Sequence, residues 1–99
     1  MKEKHIQREI IRFLCALGCT VNDMSQPRAT MLPIGLPDLY VQHPTLGVFW
    51  VEVKSPTGRV RPSQAEWHER EREAGGTVYV ARSAADLIEP LQQRGARID

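Results

Sequence analysis

The chain has 99 residues, 41% of them apolar and 25% charged, and carries a net charge of +1. Such a length and balance suit one globular domain over residues 1–99, and no apolar run approaches the length needed to span a membrane. A charge this small does not advertise a nucleic-acid binder; positive charge is instead local, in Arg59 and Arg61 and again in Arg70 and Arg72.

Met1-Lys2-Glu3-Lys4-His5 leads into an amphipathic pattern and not a secretory apolar core, so a cytoplasmic location is expected. Residues 3–17 read as a helix, with Ile6, Ile10, Phe13, Leu14 and Leu17 on one face and Gly18 as a stop. Glu3 and Gln7 fall within that apolar stripe, Glu9 at its margin, and Lys4, Arg8 and Arg12 largely outside it. A carboxylate facing the core is costly without a partner, which makes Glu3 more interesting than Glu9. Its plain alternative is to oppose the helix dipole from the first turn. Cys15 and Cys19 read as free thiols, because no secretion signal precedes them and no histidine completes a zinc-finger spacing.

A short strand is expected at residues 20–22. An irregular connection follows at 23–35, punctuated by Pro27, Pro33 and Gly35; in so small a domain that length often means function or mobility. Strands are expected at 38–42 and 48–54, joined by a turn at 43–47. The second is apolar at both parities, as for a central strand covered on both faces. Ser63 with Glu66 looks like a capping box opening a helix to about residue 74, ended by Gly75-Gly76. A strand at 77–81 and a helix at 84–93, capped by Ser83 and kinked or shortened at Pro90, complete the chain. The order helix, strand, strand, strand, helix, strand, helix predicts an α/β fold with helices on a mixed sheet.

Residues two apart on a strand share a face, so Glu52 and Lys54 point together, away from Val51 and Val53. Asp38 opens the preceding strand after Gly35-Leu36-Pro37, and a hairpin would bring it near Glu52 or Lys54. Adjacent carboxylates suit a hard cation such as Mg²⁺ or Mn²⁺, and a lysine beside them suits the charge that builds on a phosphoryl group. Glu3 could add a ligand from the helix. An exposed Glu52–Lys54 pair on an edge strand is the plain alternative, but the strand's apolar parity conflicts with it. Trp50 and Tyr40 suit either base stacking or packing under the first helix. His68 suits a phosphate contact or, more ordinarily, a solvated helix position, and Arg59 and Arg61 suit phosphate contact.

Pro37-Asp38 followed by Glu52-Val53-Lys54 resembles the signature of the PD-(D/E)XK nuclease superfamily, and the finer pattern is similar to its VRR-NUC branch. That pattern comprises Glu3 with Gln7, Gly35-Leu36-Pro37-Asp38, Val51-Glu52-Val53-Lys54, the Gly58 turn and Pro62-Ser63-Gln64. The resemblance implies a PD-(D/E)XK core and a catalytic set of Glu3, Asp38, Glu52, Lys54 and Gln64. It also implies an Mg²⁺ or Mn²⁺ site drawn from Asp38, Glu52 and Val53. It further implies a homodimer that cuts branched DNA such as four-way junctions, in a bacterial cell or phage-infected host. The other classes of answer are a catalytically silent nucleic-acid binding module and a protein-interaction module on the same scaffold.

Overall fold

Helix α1 (Glu3–Ala16) turns Ile6, Ile10 and Leu14 to one side, and all three are buried. The computed structural model describes residues 2–25 and 33–98. After Gly18, whose φ of +89° ends the helix, come β1 (Thr20–Asp23), β2 (Leu39–His43) and β3 (Gly47–Val53). Then follow α2 (Pro62–Glu73), β4 (Val78–Ala81), a 3₁₀ turn (Ala84–Leu87) and α3 (Ile88–Gln93). The strands form one mixed sheet in the order β1-β2-β3-β4, antiparallel except for the parallel β3–β4 pair. This is the α/β layout that the element order implies.

Register sorts the side chains into two unlike faces. Leu39 pairs with Val51, Val41 with Phe49 and Val53 with Ala81, so these six share a face. They are buried with Ile6, Ile10, Leu14, Leu87 and Leu91 in a single apolar core. The opposite face carries Tyr40, Trp50 and Glu52. Helix α2 covers part of it, and the buried residues of that helix are Gln64 and His68. Coverage of the central strand is therefore uneven: Val48 on this face is 53% exposed.

Several boundaries differ from expectation for local reasons. Helix α2 opens at Pro62, not Ser63, because a proline is pre-set for the first helical position. Its cap is made by Gln64, whose Oε1 accepts the Arg61 N–H at 2.9 Å, while Glu66 pairs with Arg70 at 2.9 Å instead. Strand β3 ends at Val53, although the Lys54 N–H still bonds the Ala81 carbonyl at 3.0 Å. The last helix is split. Pro90 has no N–H to return to Asp86, the residues ahead tighten into the 3₁₀ turn, and Pro90 falls in the first turn of α3. The Ser83 side chain makes no cap; Asp86 accepts the Arg82 N–H at 2.8 Å. Of the expected connection at 23–35, residues 26–32 lie outside the described residues.

Gly35 fastens the approach to β2. Its φ is +92°, and a Cβ there would lie 2.3 Å from the Ser63 carbonyl oxygen, in the first turn of α2. Gly75 shares the positive φ but has nothing within 4 Å of a Cβ position. Gly35→Ala is therefore expected to lower stability by more than Gly75→Ala, whose cost is only the backbone's, about 1–2 kcal/mol. Urea unfolding of the two variants checks the order.

Candidate active site

The register places Asp38 opposite Glu52 on the face of the sheet that α2 partly covers: Leu39 faces Val51, and the next step back pairs 38 with 52. One further step would set Pro37 opposite Val53, and a proline has no N–H with which to continue the ladder. The ladder stops there, and the Val53 N–H is taken by the Asp38 side chain, whose Oδ2 accepts it at 2.8 Å, while the Asp38 backbone carbonyl accepts the Met24 N–H at 2.7 Å. Backbone geometry thus aims this carboxylate at the end of β3.

Glu52 is 1% exposed. Its Oε1 lies 3.1 Å from His68 Nε2, and its Oε2 accepts from Gln64 Nε2 at 3.3 Å and lies 4.0 Å from Lys54 Nζ. Burial, followed by the hydrogen bond and charge of Asp38, pushes the Glu52 carboxyl up to about 9, and Lys54 pulls in the opposite direction. Negative charge on Glu52 beside Asp38 is thus disfavoured unless a cation offsets it.

Lys54 is 7% exposed, and its Nζ donates to Gln64 Oε1 at 2.8 Å. Gln64 therefore caps α2, receives Lys54 and donates to Glu52. Burial, then the charges of Arg72 and Lys54, lower the pKa of His68. Glu3, expected on the core-facing stripe, is instead exposed, because the first turn of α1 extends past the core that Ile6, Ile10 and Leu14 enter; its negative charge still adds to the upward push on Glu52. Glu9 instead lines a surface groove with His5, Arg8 and Arg12. Gln7 ties α1 to the end of β1, donating to Asp23 Oδ2 at 3.2 Å and Ser25 Oγ at 3.0 Å. Arg59 and Arg61 are both exposed in the segment that follows Lys54. Arg82 steadies the turn before them, donating through Nη1 to the Ser55 and Gly58 carbonyls at 2.6 Å each.

Among the described residues no three His, Cys, Asp or Glu side chains converge as a cation cage. The Asp38–Glu52 pair fits a cation that keeps most of its waters and takes one or two carboxylates, as Mg²⁺ does. The Val53 side chain is buried in the core, so only its backbone can contribute. N–H and C=O of one residue project to the same side of a strand, which turns the Val53 carbonyl toward Asp38 as well.

The VRR-NUC domain family model matches residues 28–85, more than half of the chain. The chain belongs to the VRR-NUC domain family. A solved structure of a VRR_NUC domain is 30% identical and superposes with a TM-score of 0.73, covering 91% of this chain and 94% of that one. A second, a VRR_NUC domain protein at 19% identity, has a TM-score of 0.69 over 95% and 88% of the two chains and speaks to the fold alone. A search of curated proteins gave no match. Membership in the VRR-NUC family implies a nuclease-type fold.

Within this VRR-NUC domain two sequence expectations need correction. His68 is not a solvated helix residue: it is 2% exposed and lies against Glu52. The signal was the spacing of Gln64, His68 and Glu71, a polar row at the helical period that forms the inner face of α2. Trp50 does not pack under the first helix, because its strand parity puts it on the other face. It donates from Nε1 to Glu71 at 3.0 Å and meets the rings of Trp67 and Tyr40 at 5.1 and 4.8 Å. Both cysteines are free, Cys15 exposed and Cys19 buried. Among the described residues no helix is long and apolar enough to cross a membrane.

Proposed function

We propose that this VRR-NUC domain is a metal-dependent endonuclease that hydrolyses DNA phosphodiester bonds, preferring branched DNA such as four-way junctions. The observation that carries this reading is the meeting of Asp38, Glu52 and Lys54 at one end of the sheet face that α2 partly covers, with Gln64 hydrogen-bonded to both Glu52 and Lys54. Asp38 and Glu52, with the Val53 carbonyl, would hold the Mg²⁺ or Mn²⁺. Bound there, the cation supplies Lewis acidity toward a phosphoryl oxygen and lowers the pKa of water. Lys54 places an ammonium where negative charge builds on the phosphoryl group, and Gln64 holds its direction. Glu3 contributes negative charge from α1 at the rim of the site. A silent binding module has no use for two carboxylates turned toward phosphate, which favours the enzyme over that alternative. Such an enzyme would work in the cytoplasm of a bacterial cell or phage-infected host.

Duplex, flap, single-stranded and four-way-junction DNAs, incubated with Mg²⁺ or Mn²⁺ and with an EDTA control, test the proposal. Cleavage is expected with the cations only and fastest on the junction; no cleavage of any substrate would sink the reading. Arg59 and Arg61 supply phosphate contacts beside the site. Replacing both with glutamine is expected to weaken binding irrespective of sequence and to reduce the salt slope by roughly 2, about one per phosphate contact. Binding isotherms at several salt concentrations measure it.

The proposed working form is a homodimer, in which a two-fold axis sets two sites at a fixed separation. Ile34, 82% exposed in a groove with Pro33, Ser63, Glu66 and Arg70, leaves apolar surface for a second copy. The sparse apolar spacing of α2 adds no support for a dimer, because Gln64 and His68 fill its inner face. Met31 and Leu32, which precede Pro33 and Ile34 in an apolar stretch of the sequence, lie outside the described residues. Sedimentation at micromolar concentration tests the assembly; a monomer that still makes paired junction cuts contradicts it.

A further inference from the structure

We propose that His68 is a positioning residue, fixing how the Glu52 carboxylate is presented to the cation. The inference rests on the nuclease reading above and deepens it. A helix on a sheet ordinarily docks through an apolar stripe. Helix α2 does not: its buried residues are Gln64 and His68, four apart and so on one face, and both reach Glu52. A buried polar group left without a partner is costly, so this face is stabilised by keeping the three side chains together.

The two contacts divide the work. His68 Nε2 lies 3.1 Å from Oε1, and Gln64 Nε2 donates to Oε2 at 3.3 Å. One hydrogen-bond partner from α2 on each oxygen fixes the plane of the carboxylate from the helix side, while Lys54, 4.0 Å from Oε2, and Asp38 approach it from the sheet. A Glu52 that holds a cation is ionised and can only accept, so Nε2 must then carry the ring proton. Without His68 only the Gln64 contact from α2 remains, on Oε2, and nothing on the helix holds Oε1 in place. His68 does not touch the reacting atoms in this scheme; it acts through Glu52.

Mn²⁺ titration of the intact chain without DNA, followed by electron paramagnetic resonance, tests this. His68→Leu keeps the bulk and loses the N–H, whereas His68→Gln keeps an amide N–H at similar reach. His68→Leu is expected to bind Mn²⁺ 10–100-fold more weakly than wild type, and His68→Gln within about threefold of it, the range typical of groups that orient a metal ligand. The double variant with Glu52→Gln is expected to bind no more weakly than Glu52→Gln alone, since the two losses act through one group. A histidine that merely fills space would lower the melting temperature and leave Mn²⁺ affinity unchanged. His68→Leu with wild-type affinity overturns the positioning role, as does His68→Gln as weak as His68→Leu. Wild-type protein that takes up no Mn²⁺ overturns the nuclease reading itself. If His68→Leu fails to fold, the His68→Gln comparison still decides.

Discussion

Glu52→Gln is expected to abolish cation-dependent cleavage, by more than about the 10²–10³-fold typical of removing one transition-state donor, and at the same time to stabilise the cation-free protein. The two effects share one cause. Glu52 is buried beside Asp38, and the pair resists carrying two negative charges. That resistance is what a divalent cation relieves, so the residue that makes the site receptive also burdens the empty fold. A glutamine removes the charge and keeps an oxygen for His68 or Gln64.

The effect has a definite sign in pH. The Glu52 carboxyl is raised in the folded protein from 4.5 to about 9, so its favourable contribution is complete below about 4.5 and is lost progressively as pH rises toward 9. The stability advantage of Glu52→Gln over cation-free wild type is therefore expected to grow between those values. Each 1 kcal/mol of relief raises the melting temperature of a domain this size by roughly 4–8 °C. Adding Mn²⁺ should reverse the ranking, because only wild type gains from binding. Thermal denaturation at pH 6 and pH 9, with and without Mn²⁺, measures both halves. A variant that melts below wild type without the cation, or that cleaves junction DNA at the wild-type rate, contradicts the argument.

What could be read from the sequence was local. The stripe of Ile6, Ile10 and Leu14 announces α1 because its period is the helix's own. Glu52 and Lys54 announce a shared face because strand side chains alternate, and Pro37 beside Asp38 marks where the preceding strand begins. Parity does not say which helix covers a face, and for that reason it leaves packing under α1 open to Trp50, which lies against α2. His68 was misjudged for a related reason. Its partner is sixteen residues away, and the two meet only because α2 packs beside β4 on the sheet face that carries Glu52. Arg94 is a further case: its guanidinium bonds the Leu46 carbonyl, Thr77 Oγ1 and the Tyr79 hydroxyl, each at 2.8 Å, and no spacing in the sequence links these positions. Polar side chains that organise a site over long separations follow from the tertiary fold and not from any period.

Lys54→Met is expected to slow cleavage about 10²–10³-fold while Mn²⁺ binding is retained, the magnitude of losing one preorganised donor in a site shielded from water. Methionine matches the length of the lysine stem and removes only the ammonium. Little of the surrounding structure depends on that ammonium. Gln64 Oε1 keeps its bond from the Arg61 N–H at 2.9 Å, so the opening of α2 survives, and Gln64 Nε2 still reaches Glu52 at 3.3 Å. The Asp38 contact to Val53 is likewise untouched. Removing a positive charge 4.0 Å from Glu52 works in two directions. It favours a cation electrostatically, and it makes the empty site hold its proton more firmly, since Lys54 opposes the upward push on Glu52. These effects offset each other in Mn²⁺ affinity but not in the reaction, where the charge on the phosphoryl group has lost its partner. The loss should therefore fall on kcat and leave KM for DNA nearly unchanged, as for an interaction made only in the transition state. Single-turnover cleavage of a labelled junction, paired with Mn²⁺ titration of the same preparation, separates the two quantities. Loss of Mn²⁺ binding in Lys54→Met would move the lysine from the chemistry to the architecture of the site, and cleavage at the wild-type rate would remove it from both.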